Sequence, residues 1–425
     1  MRGRKLLFCI LLLTFWMLRC YAATPFVFKM VDERAASLSV SVGNASGTIE
    51  RRYPYYAPSE GEWLAVSFDL LDGYPEELGY TLLYCDADWV PQEAPQGAVA
   101  EGFSEGILPA SLPSEMTQTT YRHYTLRLDA SSSPKPRLSG NWLLRIHPRG
   151  MPGNIYIEAG FALLERHWTL SAEVSPLTPK GDYAAYQSVA CVAQTKEESL
   201  LAPDKPFRLF VGQNARRDNT VFLTEPSFRS PSELRYEHQC AAVFEAGNEY
   251  RAFELLSAEQ SNMGVQHLIK GDPEVARLVP AYNRKDAAYT TDRDANGQFV
   301  VRAPFRSYDA ATTADYYEVR FTFVSPQVTK GIFLLGDAFE TLPKEERNLH
   351  YNVAGQCYEA ALLLKAGYYS FLYATDEEGV FSTRETEGSH YQTENAYTLL
   401  LYRQNEVPIP HYALVGAVEY NPTER

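Results

Sequence analysis

The chain has 425 residues and a formal net charge of −14 at pH 7. A chain this acidic is a poor candidate for binding nucleic acid or anionic lipid, because both recruit clusters of lysine and arginine. Its 29 tyrosines and 21 phenylalanines suit half-buried pleated surfaces, and its 26 glycines and 26 prolines punctuate the sequence as turns.

Residues 1–23 have the three-part layout of a secretory signal peptide. Three positive residues precede an apolar run over Leu6–Leu18, and small residues follow at Ala22 and Ala23. The run is shorter than the roughly 20 residues of a membrane-spanning helix, so a short membrane anchor is the less favoured alternative. We expect cleavage after Ala22 or Ala23, export from the cytoplasm, and a soluble mature chain of 402 residues with a net charge of −18.

Apolar and polar residues alternate with a period of two along much of the chain, which predicts strands with one buried face. The clearest runs are Leu64–Leu70, Ile155–Ala159, Phe207–Val211, Tyr317–Phe323, Tyr369–Tyr373 and Tyr397–Tyr402. Segments with the helical period are short. The sequence therefore predicts an all-β fold of tandem, Ig-like β-sandwich domains.

Two stretches share the pattern S-P-x-x-x-K-G, at Ser175–Gly181 and Ser325–Gly331. Each follows a predicted strand and interrupts it with a proline, which lacks the donor that a central strand needs. We interpret both as linkers near domain boundaries. The expected divisions are a signal peptide at 1–23, an N-terminal β-sandwich at 24–170, a central β domain at 171–326, and a C-terminal Ig-like sandwich similar to carbohydrate-binding modules at 327–425.

Four cysteines remain after the signal peptide, and no two of them form a C-x-x-C pair. Zinc-ribbon and thioredoxin-like sites are therefore not expected. Cys191 and Cys240 fall in one predicted domain and are the more plausible disulfide partners in an oxidising compartment. Four buried free thiols, at Cys85, Cys191, Cys240 and Cys357, are the open alternative.

Asp86 and Asp88 lie two residues apart at the end of a predicted strand, in the segment Cys85–Trp89. On one strand face they could act as an acid–base pair or bind a metal. A turn in which aspartate accepts backbone hydrogen bonds is the favoured interpretation.

The segment Gly102–Gly106 matches the G-x-S-x-G nucleophile elbow around Ser104. That motif needs a strand before it and a helix after it. Prolines at Pro109 and Pro113 disfavour the helix, so we interpret Ser104 as a loop residue.

The segment Asp292–Gly297 begins like an EF-hand calcium loop. Position 12 of that loop is Ala303, where calcium needs a bidentate glutamate. Asn296 and Gly297 form the strongest hairpin dipeptide, so a β-turn is predicted. Because the eight histidines have no metal-binding spacing and no glycine-rich phosphate loop occurs, we predict no catalytic, metal or cofactor-binding residues, and a binding or structural role.

Short motifs follow one another along nearly the whole mature chain: Tyr84–Trp89, Glu101–Phe103, Tyr121–Tyr124, Ser139–Trp142, Gly212–Asn214, Arg217–Asn219, Leu234–Tyr236, Gly247–Arg251, Asp294–Phe299, Ala314–Tyr316, Gly336–Phe339, Leu364–Tyr369 and Tyr391–Tyr397. Together and in this order they resemble the type 9 secretion system plug protein family of Bacteroidetes. Residues 24–60 and 255–285 contribute no firm match.

The resemblance implies a periplasmic β-sandwich protein without catalytic activity or cofactor. Its implied partner is the giant outer-membrane β-barrel translocon, whose periplasmic opening a plug occupies when no cargo is engaged. Nucleic acid and direct membrane insertion are not expected. The motifs do not identify partner-binding residues, and we interpret Asn248, Glu249, Arg251, Asn296 and Gly297 as turn and core-edge residues.

Two other functions stay open. Gly336–Asp337, followed by Leu364–Tyr369, is similar to the carbohydrate-binding sandwich attached to starch-acting enzymes, so an exported glycan-binding protein is one alternative. A hydrolase that uses Ser104, or the pair Asp86 and Asp88, is the other.

Overall fold

The computed structural model describes residues 27–44, 47–49, 53–196, 205–257, 262–305, 308–377 and 379–422. The predicted signal peptide at 1–23 lies outside the described residues. Within them the secondary structure is almost entirely β, which confirms the predicted fold class. The α-helices of the described part have four residues each: α1 (Gln96–Val99), α2 (Ala310–Thr313) and α3 (Asp337–Glu340). None of its helices is long and apolar enough to cross a membrane.

The first sandwich is built from thirteen strands that are consecutive in the chain. They are β1 (Phe28–Met30), β2 (Ala35–Asn44), β3 (Gly47–Ile49), β4 (Tyr55–Tyr56), β5 (Trp63–Leu70), β6 (Leu78–Cys85), β7 (Ala100–Glu101), β8 (Gly106–Ile107), β9 (Leu112–Pro113), β10 (Arg122–Leu128), β11 (Lys135–Pro136), β12 (Gly140–Pro148) and β13 (Ile157–Leu163). One sheet has the order β1-β13-β12-β6-β8, with β4 parallel to β13. The other has the order β3-β2-β5-β10-β9, and β7 pairs with β11.

The second sandwich combines strands from two distant parts of the chain. They are β14 (Thr169–Ser175), β15 (Tyr186–Gln194), β16 (Phe207–Gln213), β17 (Thr220–Leu223), β18 (Phe228–Arg229), β19 (Glu233–Tyr236), β20 (Val243–Glu245), β32 (Tyr397–Asn405) and β33 (His411–Tyr420). One sheet runs β14-β15-β19-β18, with β20 beside β15, and the other runs β17-β16-β32-β33.

The third sandwich lies in the chain between β20 and β32. Its strands are β21 (Arg251–Leu255), β22 (Val265–Ile269), β23 (Glu274–Leu278), β24 (Ala281–Tyr282), β25 (Phe299–Val301), β26 (Tyr316–Val324), β27 (Ile332–Leu335), β28 (Asn348–Asn352), β29 (Cys357–Lys365), β30 (Gly367–Glu377) and β31 (Val380–Ser382). They form one sheet with the principal order β21-β30-β27-β28-β29-β26-β23-β22. The sheet folds over so that its two halves enclose one core. Phe323 of β26 and Tyr373 of β30 meet across this core, with 4.3 Å between their ring centroids.

Strand pairing groups the sequence differently from the consecutive domains expected at 24–170, 171–326 and 327–425. β16 lies before the expected boundary at 326 but pairs with β32 beyond it, and β26 likewise pairs with β29. The segment Ser325–Gly331 connects β26 to β27 within one sheet, so it is a loop inside the third sandwich. The period-two pattern identifies strands and their buried faces, but it does not identify the partner of a strand.

Burial follows the pattern of each strand in two distinct ways. β26 alternates between buried and more exposed residues, so only one face contacts a core. β32 is buried on both faces over its first seven residues. Leu399 and Leu401 enter the core of the second sandwich, whereas Leu400 and Tyr402 enter a cluster shared with the first. This strand therefore joins two sandwiches.

Candidate functional site

Asp86 and Asp88 have separate roles instead of forming a pair. Asp86 Oδ1 accepts hydrogen bonds of 2.9 Å from the backbone N–H groups of Asp88 and Val90, which confirms the turn interpretation. Asp88 accepts two hydrogen bonds, of 3.0 and 2.8 Å, from the guanidinium group of Arg208 on β16. The second aspartate thus links the first sandwich to the second.

Ser104 lies on an exposed loop between β7 and β8. The following residues enter the short strand β8 and then an extended segment, so the strand–turn–helix context of a nucleophile elbow is missing here. Its hydroxyl group has no hydrogen-bond partner among the residues that the structure describes. The structure therefore gives no geometric support to a nucleophilic role for Ser104.

The segment Asp292–Gly297 forms a turn, as predicted. Asn296 and Gly297 both have positive φ, at 50° and 89°, and the N–H of Gln298 donates to the carbonyl of Ala295 at 3.0 Å. Two consecutive positive φ values define the type I′ turn that Asn-Gly favours. Across the described ranges, no group of three acidic, histidine or cysteine side chains could hold a metal ion.

The motif Gly247–Arg251 lies in a buried polar network of the third sandwich. Glu387 is fully buried, and its carboxylate pairs with the guanidinium groups of Arg251 at 2.9 Å and Arg284 at 2.6 Å. Asn248 donates to the carbonyl of Glu387 at 2.7 Å.

Glu249 of the same motif is also buried, and Tyr289 donates a hydrogen bond of 2.5 Å to its Oε1. Burial raises the pKa of the Glu249 carboxyl to about 7, although the bond from Tyr289 opposes the shift. These placements make Asn248, Glu249 and Arg251 internal residues of the fold.

The four cysteines among the described residues are all free, so the predicted disulfide between Cys191 and Cys240 is not found. Cys240 is exposed, whereas Cys85, Cys191 and Cys357 are buried. Burial raises the pKa of the Cys85 and Cys191 thiols to about 12, which keeps them protonated and unreactive.

The junction between the first and second sandwiches is mainly aromatic. Tyr53 packs on Phe210 at 5.0 Å between ring centroids, and Phe222 packs on both Phe210 and Tyr402. The hydroxyl group of Tyr402 also donates to Asn141 Oδ1 at 2.8 Å. Such a layer excludes water and fixes the angle between the sandwiches, because aromatic rings bury large areas in defined geometries.

The junction between the first and third sandwiches is a buried ionic cluster. Two cross-strand pairs meet there: Asp69 with His123 in the first sandwich, and Tyr316 with Lys365 in the third. Lys365 Nζ lies 2.6 Å from Asp69 Oδ2, and the hydroxyl group of Tyr316 donates to the same oxygen at 2.6 Å. His123 Nδ1 lies 2.7 Å from Asp69 Oδ1. The carboxylate therefore has three polar partners.

Lys365 is held by further contacts in this cluster. Its ammonium group donates to the carbonyl of Ala311 at 2.9 Å and lies 4.0 Å from the ring centroid of Tyr121. The side chains of Lys365 and Asp69 are 2% and 1% exposed. Burial lowers the pKa of Lys365, and the Asp69 carboxylate opposes that shift.

Sequence interpretation missed this cluster, although its motifs contained a signal. His123, Tyr316 and Lys365 all fall in motifs of the family resemblance, and Asp69 and Lys365 each interrupt a strand of mostly apolar residues. A charged residue in a buried strand needs a partner. The contacts of the Asp69 carboxylate hold the first and third sandwiches in one fixed arrangement.

A comparison with protein families matches residues 38–165 to the model described as type 9 secretion system plug protein 1st domain. The matched segment covers most of the first sandwich. The family resemblance predicted from the ordered motifs is thereby confirmed over these residues.

Among solved structures, the chain is similar to the crystal structure of a hypothetical protein from Parabacteroides merdae ATCC 43184. The TM-score is 0.85 at 27% sequence identity, and the match covers 93% of this chain and 99% of the other. Trypsin-activated alpha-2-macroglobulin from Escherichia coli matches at a TM-score of 0.16 and 11% identity, over 89% of this chain and 23% of that one, and carries no argument. A comparison with the curated proteins finds no match.

Proposed function

We propose, from the match of residues 38–165 to the first domain of type 9 secretion system plug proteins, that this chain is a periplasmic plug. It occupies the periplasmic opening of the giant outer-membrane β-barrel translocon and closes it when no cargo is engaged. The family match is the observation that carries the proposal. A signal peptide at residues 1–23 would direct export of the chain to that compartment.

Closing a wide opening requires a body that keeps its shape. The aromatic junction and the ionic cluster at Asp69 support this requirement, because each fixes one sandwich against another through buried contacts. Occlusion of this kind needs no catalytic group, so we propose that the chain is not an enzyme.

Release of the plug then depends on the states of the barrel. A barrel that binds the plug better in its idle state than in its cargo-engaged state shifts the equilibrium between bound and free plug. Moving that equilibrium from 1:99 to 99:1 takes about a 10⁴-fold difference in affinity, or about 5.5 kcal/mol. Cargo engagement must supply that difference.

The glycan-binding alternative gains little from the motif that suggested it. Tyr369 of Leu364–Tyr369 is 2% exposed, and its ring stacks on Phe253 at 4.9 Å between centroids. A buried ring cannot form a platform for a sugar. Binding of the mature chain to a glycan array at micromolar strength would revive this alternative.

Affinity purification from outer-membrane extract tests the proposal. The mature chain, tagged at its C-terminus and produced in its native host, is purified in mild detergent beside an unrelated exported β-sandwich protein with the same tag. We expect a very large β-barrel to co-purify with this chain and not with the control protein. If no such barrel co-purifies under conditions that preserve other outer-membrane complexes, the proposal fails.

A further inference from the structure

A cleft of about 650 Å³ opens where the three sandwiches meet. One wall is β1 of the first sandwich, and Arg217 of the second sandwich lies beside it. The opposite wall belongs to the third sandwich and contains Leu342, Arg347 and Val380. The volume lies in the range of clefts that enclose a ligand. None of the residues considered above for chemistry contributes to this cleft.

The wall formed by β1 is the edge of its sheet. β1 pairs with β13 alone within the described part of the chain. The carbonyl of Val27 accepts from Gly160 at 2.6 Å, and the N–H of Val31 donates to the carbonyl of Tyr156 at 2.8 Å. Backbone groups alternate in direction along an antiparallel strand, so the N–H and C=O groups of Val27, Lys29 and Val31 point toward β13.

By the same alternation, the backbone groups of Phe28 and Met30 point away from β13, and both residues line the cleft. The carbonyl of Phe28 accepts from Arg217 Nη1 at 2.7 Å. The N–H and C=O of Met30 have no hydrogen-bond partner among the described residues. An edge with free backbone groups of this kind is a template for an added strand.

Arg347, on the opposite wall, makes no direct ion pair with a described residue, although its charge acts on the carboxylates of Glu340 and Asp376. Its guanidinium carbon lies 4.6 Å from the ring centroid of Phe381. Its Nη1 donates one long hydrogen bond, of 3.5 Å, to the carbonyl of Leu334. Its Nε is buried without a hydrogen-bond partner. No carboxylate in the described ranges lies within 4 Å of it, whereas the neighbouring Arg217 faces Glu340 at 3.3 Å. Arginine offers five donors in a geometry that suits a carboxylate.

We propose that this cleft binds an extended segment of a partner polypeptide, which adds as a strand beside β1 and places a carboxylate on Arg347. The backbone edge selects a polypeptide, because a lipid or a sugar offers no repeating N–H and C=O groups to Met30. The apolar side chains of Leu342 and Val380 suit alternate apolar residues of the segment. This inference does not depend on the plug proposal, since it names a binding cleft and no translocon.

The probe for the first test is a phage-displayed library of random heptapeptides, selected on the immobilised mature chain. We expect enriched peptides to combine alternating β-branched or apolar residues with at least one carboxylate. The best peptide is then synthesised, and its affinity is measured by fluorescence polarisation. Failure of the library to enrich any peptide that binds the free mature chain would overturn the inference.

The proposed ion pair between Arg347 and a carboxylate of the peptide is tested by changing each partner in turn. We expect R347A to weaken binding of that peptide at least 10-fold, and R320A, which removes an exposed arginine on β26, to leave it unchanged. Replacing the peptide carboxylate by the amide should also cost at least 10-fold. The peptide change leaves the protein intact, so it remains decisive if R347A fails to fold. Equal binding by the carboxylate and amide peptides would refute the pairing with Arg347.

Amide exchange of methionine tests strand addition directly. Labelling with ¹⁵N-methionine gives signals for Met30, Met116, Met151 and Met263 in the mature chain. On peptide binding we expect exchange of the Met30 amide to slow at least 10-fold, while the amides of Met116 and Met151 keep their rates. An unchanged Met30 rate would contradict strand addition. A mature chain that sediments as a dimer, with R347A monomeric, would instead assign the cleft to a second copy and overturn the proposal.

Discussion

Replacing Lys365 by methionine tests whether the first and third sandwiches form one body. Methionine keeps an apolar stem beside Tyr121 but removes the ammonium group that lies 2.6 Å from Asp69. The Asp69 carboxylate remains fully buried without its counter-charge. Removing one partner of a buried ion pair costs about 3–5 kcal/mol. Because Tyr316 and His123 still contact the carboxylate, we expect the lower end of that range, a loss of about 3 kcal/mol.

Equilibrium unfolding in urea, followed by tryptophan fluorescence, measures this change. K344M is the matched control, because Lys344 Nζ also lies 2.6 Å from a carboxylate, that of Asp376, but its side chain is 44% exposed. We expect the control to change the free energy of unfolding by less than about 1 kcal/mol. The double variant D69N/K365M should lose less than the sum of its single variants, since no buried charge is left unpaired. Equal stability of K365M and wild type, or additive single effects, would refute the reasoning.

Three further outcomes are expected from the buried groups and the turns. The pKa of the Glu249 carboxyl is about 7 in the folded chain, against 4.5 ordinarily. Its protonation therefore stabilises the fold fully below pH 4.5, and the free energy of unfolding falls by up to about 3 kcal/mol as pH rises through 7. Melting temperatures measured from pH 5 to 8 should fall with pH in wild type and fall less in E249Q. A maleimide should label Cys240 alone in the folded mature chain and all four thiols after unfolding; unlabelled Cys240 would indicate a disulfide. D86A should lose about 1–2 kcal/mol, because two backbone N–H groups lose their acceptor, and S104A should stay within about 0.5 kcal/mol on the exposed loop; equal effects would contradict the assigned roles.

Local features of the fold were predictable from sequence. The runs Leu64–Leu70 and Tyr317–Phe323 are strands β5 and β26, as their period-two alternation predicted. In β26 the alternation reflects one buried face, whereas in β5 Asp69 on the polar face is buried as well. Asn296-Gly297 forms its turn because both residues tolerate positive φ. Each of these features depends on residues close together in the chain.

Long-range features were not predictable in the same way. Asp69 and Lys365 pair across 296 positions, and nothing in the local sequence of either residue names the other. The second sandwich likewise includes β32 and β33, which follow the third sandwich in the chain. A division of the sequence into consecutive domains therefore cannot reproduce it. The cleft beside β1 depends on all three sandwiches, which explains why no single motif indicated Met30 or Arg347.

Outer-membrane permeability tests the plug function most directly. A strain that lacks this protein but keeps an active translocon is compared with its parent, with a strain complemented by the wild-type chain, and with a strain that lacks both plug and barrel. We predict that uptake of a large antibiotic rises in the single deletion and returns to the parental level on complementation and in the double deletion. Unchanged uptake in the single deletion would contradict the account.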